Sequence, residues 1–75
     1  MERFTRIEQN LEIMGGRPSI KGLRVTVGMI VSQIGEGKSP KKLIAEYPYL
    51  SVEDVYEAIR YAAWAVNTTE SALMA

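Results

Sequence analysis

Thirteen consecutive residues, Gly15-Gly16-Arg17-Pro18-Ser19-Ile20-Lys21-Gly22-Leu23-Arg24-Val25-Thr26-Val27, hold three glycines, one proline and three basic side chains. No other stretch constrains the fold as much. Glycine takes positive φ without steric cost, and proline fixes φ and removes a donor, so bends are written in at Gly15-Gly16 and at Lys21-Gly22. Ser19-Ile20 and Leu23-Arg24-Val25 flank the Lys-Gly pair and read as a hairpin closed by a two-residue turn. Thr26 then serves as an N-cap. Two roles are open to this hairpin: closing the N-terminal half against the helices, or touching a ligand.

Ahead of it, Phe4-Thr5-Arg6-Ile7-Glu8 alternates apolar and polar residues and reads as a short half-buried strand. Residues 10–14 connect the two, with Leu11 and Ile13 expected to point inward. Behind it lie three helical patterns. Val27, Ile30, Val31 and Ile34 recur at i, i+3, i+4 and i+7 and predict a first helix from Thr26 to about Glu36, ended by Gly37. Gly28 and Gly35 weaken that helix by roughly 1 kcal/mol each relative to alanine, so packing must hold it. Ser39 and Pro40 open a short second helix with Leu43, Ile44 and Tyr47 on its apolar side, and Pro48 stops it.

The third helix is the best specified. Ser51 and Asp54 form a short-armed capping box, and Leu50 with Val55 fits a hydrophobic staple. Val52, Val55, Tyr56, Ile59, Ala62, Ala63 and Val66 make one apolar stripe. Glu53, Glu57 and Arg60 lie opposite, with Tyr61 and Trp64 flanking. This aromatic pair exceeds what one small core covers, so it is either core or dimer contact. Asn67 is the expected stop. The domain reading is a single unit: a β arm over 1–25, a tri-helical unit over 26–66 and a flexible tail over 67–75. The fold class is mostly α with a short N-terminal β portion and a helix-turn-helix, homeodomain-like core.

A chain of 75 residues buries only about 60% of its unfolded surface, and its whole stability is of order 4–11 kcal/mol. It has neither cysteine nor histidine, which excludes disulfides and removes the usual zinc ligands. Oligomerisation is the remaining support, and a homodimer is expected. The same lack takes away thiol, imidazole and common metal chemistry, so neither enzymatic activity nor a cofactor is expected. No apolar run approaches the roughly 20 residues of a membrane span and no leader pattern opens the sequence; no membrane contact and a cytoplasmic location are the expectation.

Net charge is zero but uneven. Residues 1–42 hold eight Lys/Arg and four Asp/Glu, residues 43–75 one Arg and five Asp/Glu. A basic half facing nucleic acid and an acidic half facing a protein would both fit, as would head-to-tail pairing of two copies. The third helix, which in a helix-turn-helix enters the major groove, begins with Glu53, Asp54 and Glu57, and three exposed carboxylates oppose phosphate. Any DNA contact is therefore assigned to Arg17, Lys21, Arg24, Lys38, Lys41 and Lys42. A partner or dimer interface is assigned to Glu53, Glu57, Tyr61 and Trp64. The tail offers Glu70 as charge and Leu73 and Met74 as anchors. A compact tri-helical unit without groove binding remains the alternative.

Three linked motifs carry a resemblance: Gly15 to Val27, then Gly37-Lys38-Ser39-Pro40, then Tyr47-Pro48-Tyr49-Leu50-Ser51-Val52-Glu53-Asp54-Val55. Together they resemble the signature of the domain-of-unknown-function 433 family, small bacterial and archaeal proteins related to VapB-type antitoxins. The likeness runs from about Arg6 to Ala63, and Leu23 departs from it where the family pattern has threonine. The resemblance implies an antitoxin of a type II toxin–antitoxin pair, with a PIN-type nuclease as partner and operator DNA as a second ligand. The other class of function is a dimeric interaction module with no DNA role.

Overall fold

A computed structural model describes residues 4–12 and 14–74, without the side chains of residues 14 and 71–74. The expectations for Ile13, Leu73 and Met74 lie outside the described residues. Elements follow in the order β1 (Ile7–Glu8), a 3-10 turn (Met14–Gly16), β2 (Ser19–Ile20), α1 (Val27–Gly35), α2 (Pro40–Glu46) and α3 (Val52–Met74). The chain is mostly α with a two-stranded N-terminal sheet.

β1 pairs antiparallel with β2, Ile7 opposite Ile20 and Glu8 opposite Ser19. On its other side β2 meets the returning chain: the Ile20 N–H donates to Val25 O, the Val27 N–H donates to Pro18 O, and Ser19 bridges Thr26. The hairpin therefore closes at Ile20 and Val25 with four residues between, not at the Lys-Gly pair. The Leu23 N–H donates to Ile20 O, and Gly22 at φ 77° supplies the left-handed conformation that this tight turn demands. Gly15 and Gly16 bend the chain as expected, at φ 67° and 83°.

The strand expected over Phe4–Glu8 is shorter. Residues 5 and 6 form a turn in which the Ile7 N–H donates to Phe4 O, and this tucks Phe4 onto α3. Leu11 is 89% exposed, contrary to expectation. The Asn10 side chain accepts from the Glu12 N–H at 2.8 Å, and this local turn carries Leu11 outward.

Each helix start has its own acceptor. Thr26 Oγ1 accepts from the Met29 N–H and Ser39 Oγ from the Lys42 N–H, each at 3.1 Å. At α3 the box is reciprocal: the Ser51 N–H donates to Asp54 Oδ2 at 3.0 Å, and the Asp54 N–H donates to Ser51 Oγ at 3.1 Å. α1 ends in a Schellman motif, with the Gly37 N–H on Ile34 O and the Lys38 N–H on Gln33 O, and Gly37 takes the φ of 103° that the motif needs.

α1 packs chiefly on α3, and α2 touches both. Ile7, Ile20 and Val25 from the arm, Val27 and Ile30 from α1, Leu43 from α2, and Leu50, Val55, Ala58 and Tyr61 near or on α3 form one core, closed by Phe4. The apolar stripe expected on α3 is rotated. Tyr56, Ala63 and Val66 are exposed, while Asp54, Val55, Glu57, Ala58 and Tyr61 are covered. The N-terminal arm lies over α3 on a side that periodicity assigns to water. Nor does α3 stop at Asn67; it runs to Met74. Ala, Glu, Leu and Met after Asn67 are good helix formers and no Gly or Pro interrupts them.

Candidate nucleic-acid interface

The α2–α3 pair is built from a short helix, a five-residue link and a long helix. In the link the Leu50 N–H donates to Tyr47 O at 2.9 Å, with Pro48 at the second turn position where its fixed φ fits. Tyr47 and Tyr49 meet edge to face at 6.0 Å.

The basic residues expected to face DNA fall into two groups. Lys21 and Arg24 are exposed on the hairpin turn, and Arg17 is exposed before β2, where it makes an interaction of its own. Lys41 and Lys42 are exposed on the first turn of α2. Lys38 differs: its ammonium donates to Gln33 Oε1 at 2.6 Å and pairs with Glu46, so its charge is engaged within the chain.

The acidic start of α3 departs most from the sequence reading. Glu53 is exposed, but Asp54 and Glu57 are only 8% and 6% exposed. Both are held by Arg6. Its guanidinium donates to Asp54 Oδ1 at 3.1 Å, and its backbone N–H donates to Glu57 Oε2. Glu57 also faces Arg60 at 3.8 Å. The anchor, Arg6, carries no signal in the sequence, because its partners stand 48 and 51 positions away. Two of the three carboxylates counted against groove binding thus point into the protein.

Asp54 therefore caps a helix and ties down the arm. Asp54→Ala is expected to cost about 1–3 kcal/mol, mostly from the cap, since Arg6 is 45% exposed and its ion pair is largely screened. Asp54→Asn keeps a cap acceptor and should cost less than about 1 kcal/mol. Urea unfolding of the two variants checks the ranking; equal losses would place the main contribution in the charge.

The interface expected from Glu53, Glu57, Tyr61 and Trp64 is divided. Glu57 and Tyr61 are buried within the chain and do not offer the exposed surface read from the sequence. Phe4 covers Tyr61 edge to face at 5.2 Å and reaches Trp64 at 5.8 Å. Glu53 and Trp64 remain exposed. Neither lines the open groove of about 590 Å³ that runs between the start of α1 and residues 61–66 of α3. Among the described residues no group of His, Cys, Asp and Glu could hold a metal ion, and no helix is long and apolar enough to cross a membrane.

The described chain is thus a three-helix core with a β-hairpin arm, with exposed basic side chains on the hairpin and on the first turn of α2. The model of the family described as protein of unknown function (DUF433) matches residues 7–62, most of the chain, and the chain belongs to that family. A crystal structure of a DUF433 member protein from Anabaena variabilis superposes with a TM-score of 0.79 at 24% identity, over 99% of this chain and 73% of that one. At that identity the likeness is one of fold. Comparison with curated proteins gives no match.

Proposed function

We propose that the chain is a DNA-binding protein of the antitoxin type, which sits on operator DNA and neutralises a PIN-type nuclease. On this reading it is a binding protein and not an enzyme. The inward turn of Asp54 and Glu57 carries the DNA half. A carboxylate about 6 Å from a phosphate is repelled by roughly 0.7–3 kcal/mol, and three of them would offset several base contacts. With two withdrawn, the exposed side chains over the first three turns of α3 are Glu53, Tyr56 and Arg60, and α2 adds Lys41 and Lys42. That surface tolerates phosphate far better than the bare sequence suggests.

Fluorescence anisotropy on DNA upstream of the chain's own gene tests this half. Lys41→Ala, Lys42→Ala and Arg24→Ala should each weaken binding across sequences and lower the salt slope by about 1, whereas Glu53→Ala should leave binding unchanged or tighten it. Wild-type affinity in the combined lysine variant would remove α2 from the interface. Loss of sequence-specific binding in Glu53→Ala would make that carboxylate a base reader.

The antitoxin half rests on the three linked motifs that resemble the signature of the DUF433 family, which is related to VapB-type antitoxins. Mixing the chain with a PIN-type nuclease encoded beside it should suppress RNA cleavage at equimolar ratio; undiminished cleavage at excess would overturn this half. A dimeric interaction module without a DNA role is favoured by a separate observation, the exposed side chains of residues 66–70 on α3. Binding that shows no salt dependence would select it.

A further inference from the structure

We infer that the groove between the start of α1 and the second half of α3 seats a second copy of this chain, whose own α3 lies antiparallel along it in a symmetric homodimer. This stands whether or not the protein binds DNA. The groove is lined by Pro18, Val27, Met29, Ala62, Ala65 and Val66, with Gly28 on its α1 side. Val66, on the groove's α3 wall, is 55% exposed.

Gly28 marks the seat. It lies in the first turn of a helix at ordinary negative φ, where glycine is a poor choice. A Cβ there would meet nothing nearer than Thr26 Oγ1 at 4.0 Å, so the fold of one chain does not require glycine. What the missing side chain does is leave the groove open beside the small Ala62 and Ala65. Small residues on both walls admit another helix closely.

Area points to the same occupant. A folded monomer of 8.4 kDa exposes about 4,600 Å² by the usual scaling with mass. This chain exposes 5158 Å², an excess of about 500 Å² on that scaling. A stable interface removes about 800 Å² from each partner. The exposed length of α3 supplies that surface: at about 1.5 Å per residue its 23 residues span about 34 Å, and every described side chain after Ala65 is exposed.

Symmetry and charge choose the orientation. A two-fold interface pairs a patch with itself, and α3 is both a wall of the groove and the segment that fills it. Glu70 is the one ionised side chain on α3 beyond Arg60, and Arg17 stands at the groove. A parallel pair would set the two Glu70 carboxylates side by side, whereas an antiparallel pair separates them, carries each toward the other copy's basic arm and opposes the helix dipoles. Ala65 then lies close to the two-fold axis.

Sedimentation of the full chain across a dilution series should show a dimer that dissociates to monomer. Gly28→Leu, which favours helix but fills the groove, should keep the wild-type circular dichroism and weaken the dimer about tenfold or more. Gly35→Ala, where a Cβ meets nothing within 4 Å and the residue lies outside the groove lining, should leave the dissociation constant unchanged. The chain holds no cysteine, so Ala65→Cys is a clean reporter and should oxidise to a covalent dimer, while exposed Ala45→Cys on α2 should not. A monomer at every concentration, a Gly28→Leu dimer as tight as wild type, or Ala45→Cys cross-linking as readily as Ala65→Cys would each overturn the assignment.

Discussion

Phe4→Ala is expected to bring the chain to the edge of unfolding. Phe4 is buried, with its ring edge-on to Tyr61 and tilted against Trp64. Truncating a buried phenylalanine costs about 3–5 kcal/mol, against a total of about 4–11 kcal/mol for a chain of this length. The loss falls on one place. Without the ring the arm loses its aromatic contact with α3, and Tyr61 opens to water. Trp64 is the only tryptophan and one of the side chains that Phe4 covers, so its emission should shift to the red. Denaturant titration followed at that wavelength gives both numbers. Phe4→Leu, which keeps most of the apolar volume, should retain more than half of the lost stability. A midpoint for Phe4→Ala within about 1 kcal/mol of wild type would show that the arm contributes little to the core.

Leu43→Ala should be nearly as damaging, by about 2–5 kcal/mol, for a different reason. α2 has seven residues, too few to be helical by itself, and Leu43 is its one fully buried side chain, at 0% exposure. Removing it leaves only the partly buried Ile44 and Tyr47 to hold a helix specified by Ser39 and Pro40. On the DNA-binding proposal, Lys41 and Lys42 then lose their presentation, and affinity should fall even though neither lysine is changed. Ile44→Ala, on a half-buried neighbour, should cost clearly less. Amide exchange along α2 with urea unfolding checks the pair; full protection of α2 in Leu43→Ala would contradict its role as the main tether.

Signals that act within four residues were legible in the sequence. Thr26, Ser39 and Ser51 each cap the helix assigned to them, and Gly37 ends α1, because a cap and its N–H donors are neighbours in the chain. The Lys-Gly turn was legible for the same reason, although the pairing beyond it closes two residues wider. What could not be read is what covers α3. Helical periodicity places Asp54 and Glu57 relative to their own helix, and their inward direction depends on Arg6, 48 and 51 residues earlier. Tyr61 is core for the same reason, with Phe4 arriving from the other end of the chain. Leu11 failed differently. A local turn from Asn10 outweighed its apolar character, which is common for one leucine in a short connection.

The long reach of the arm has a kinetic side. The three helices follow one another through short links and can find each other early, when little chain must be closed. Arg6 is tied locally to the hairpin, its carbonyl accepting from the Lys21 N–H, but it meets Asp54 and Glu57 across about fifty residues, a closure that costs roughly 3–4 kcal/mol in an open chain. The contacts of Phe4 and Arg6 with α3 are therefore expected to form late. Contacts formed after the folding barrier set how long the native state survives, while the rate of reaching it is left to the helices. The expected consequence is a division of labour, in which substitutions at Phe4 and Arg6 speed unfolding while leaving the folding rate nearly unchanged.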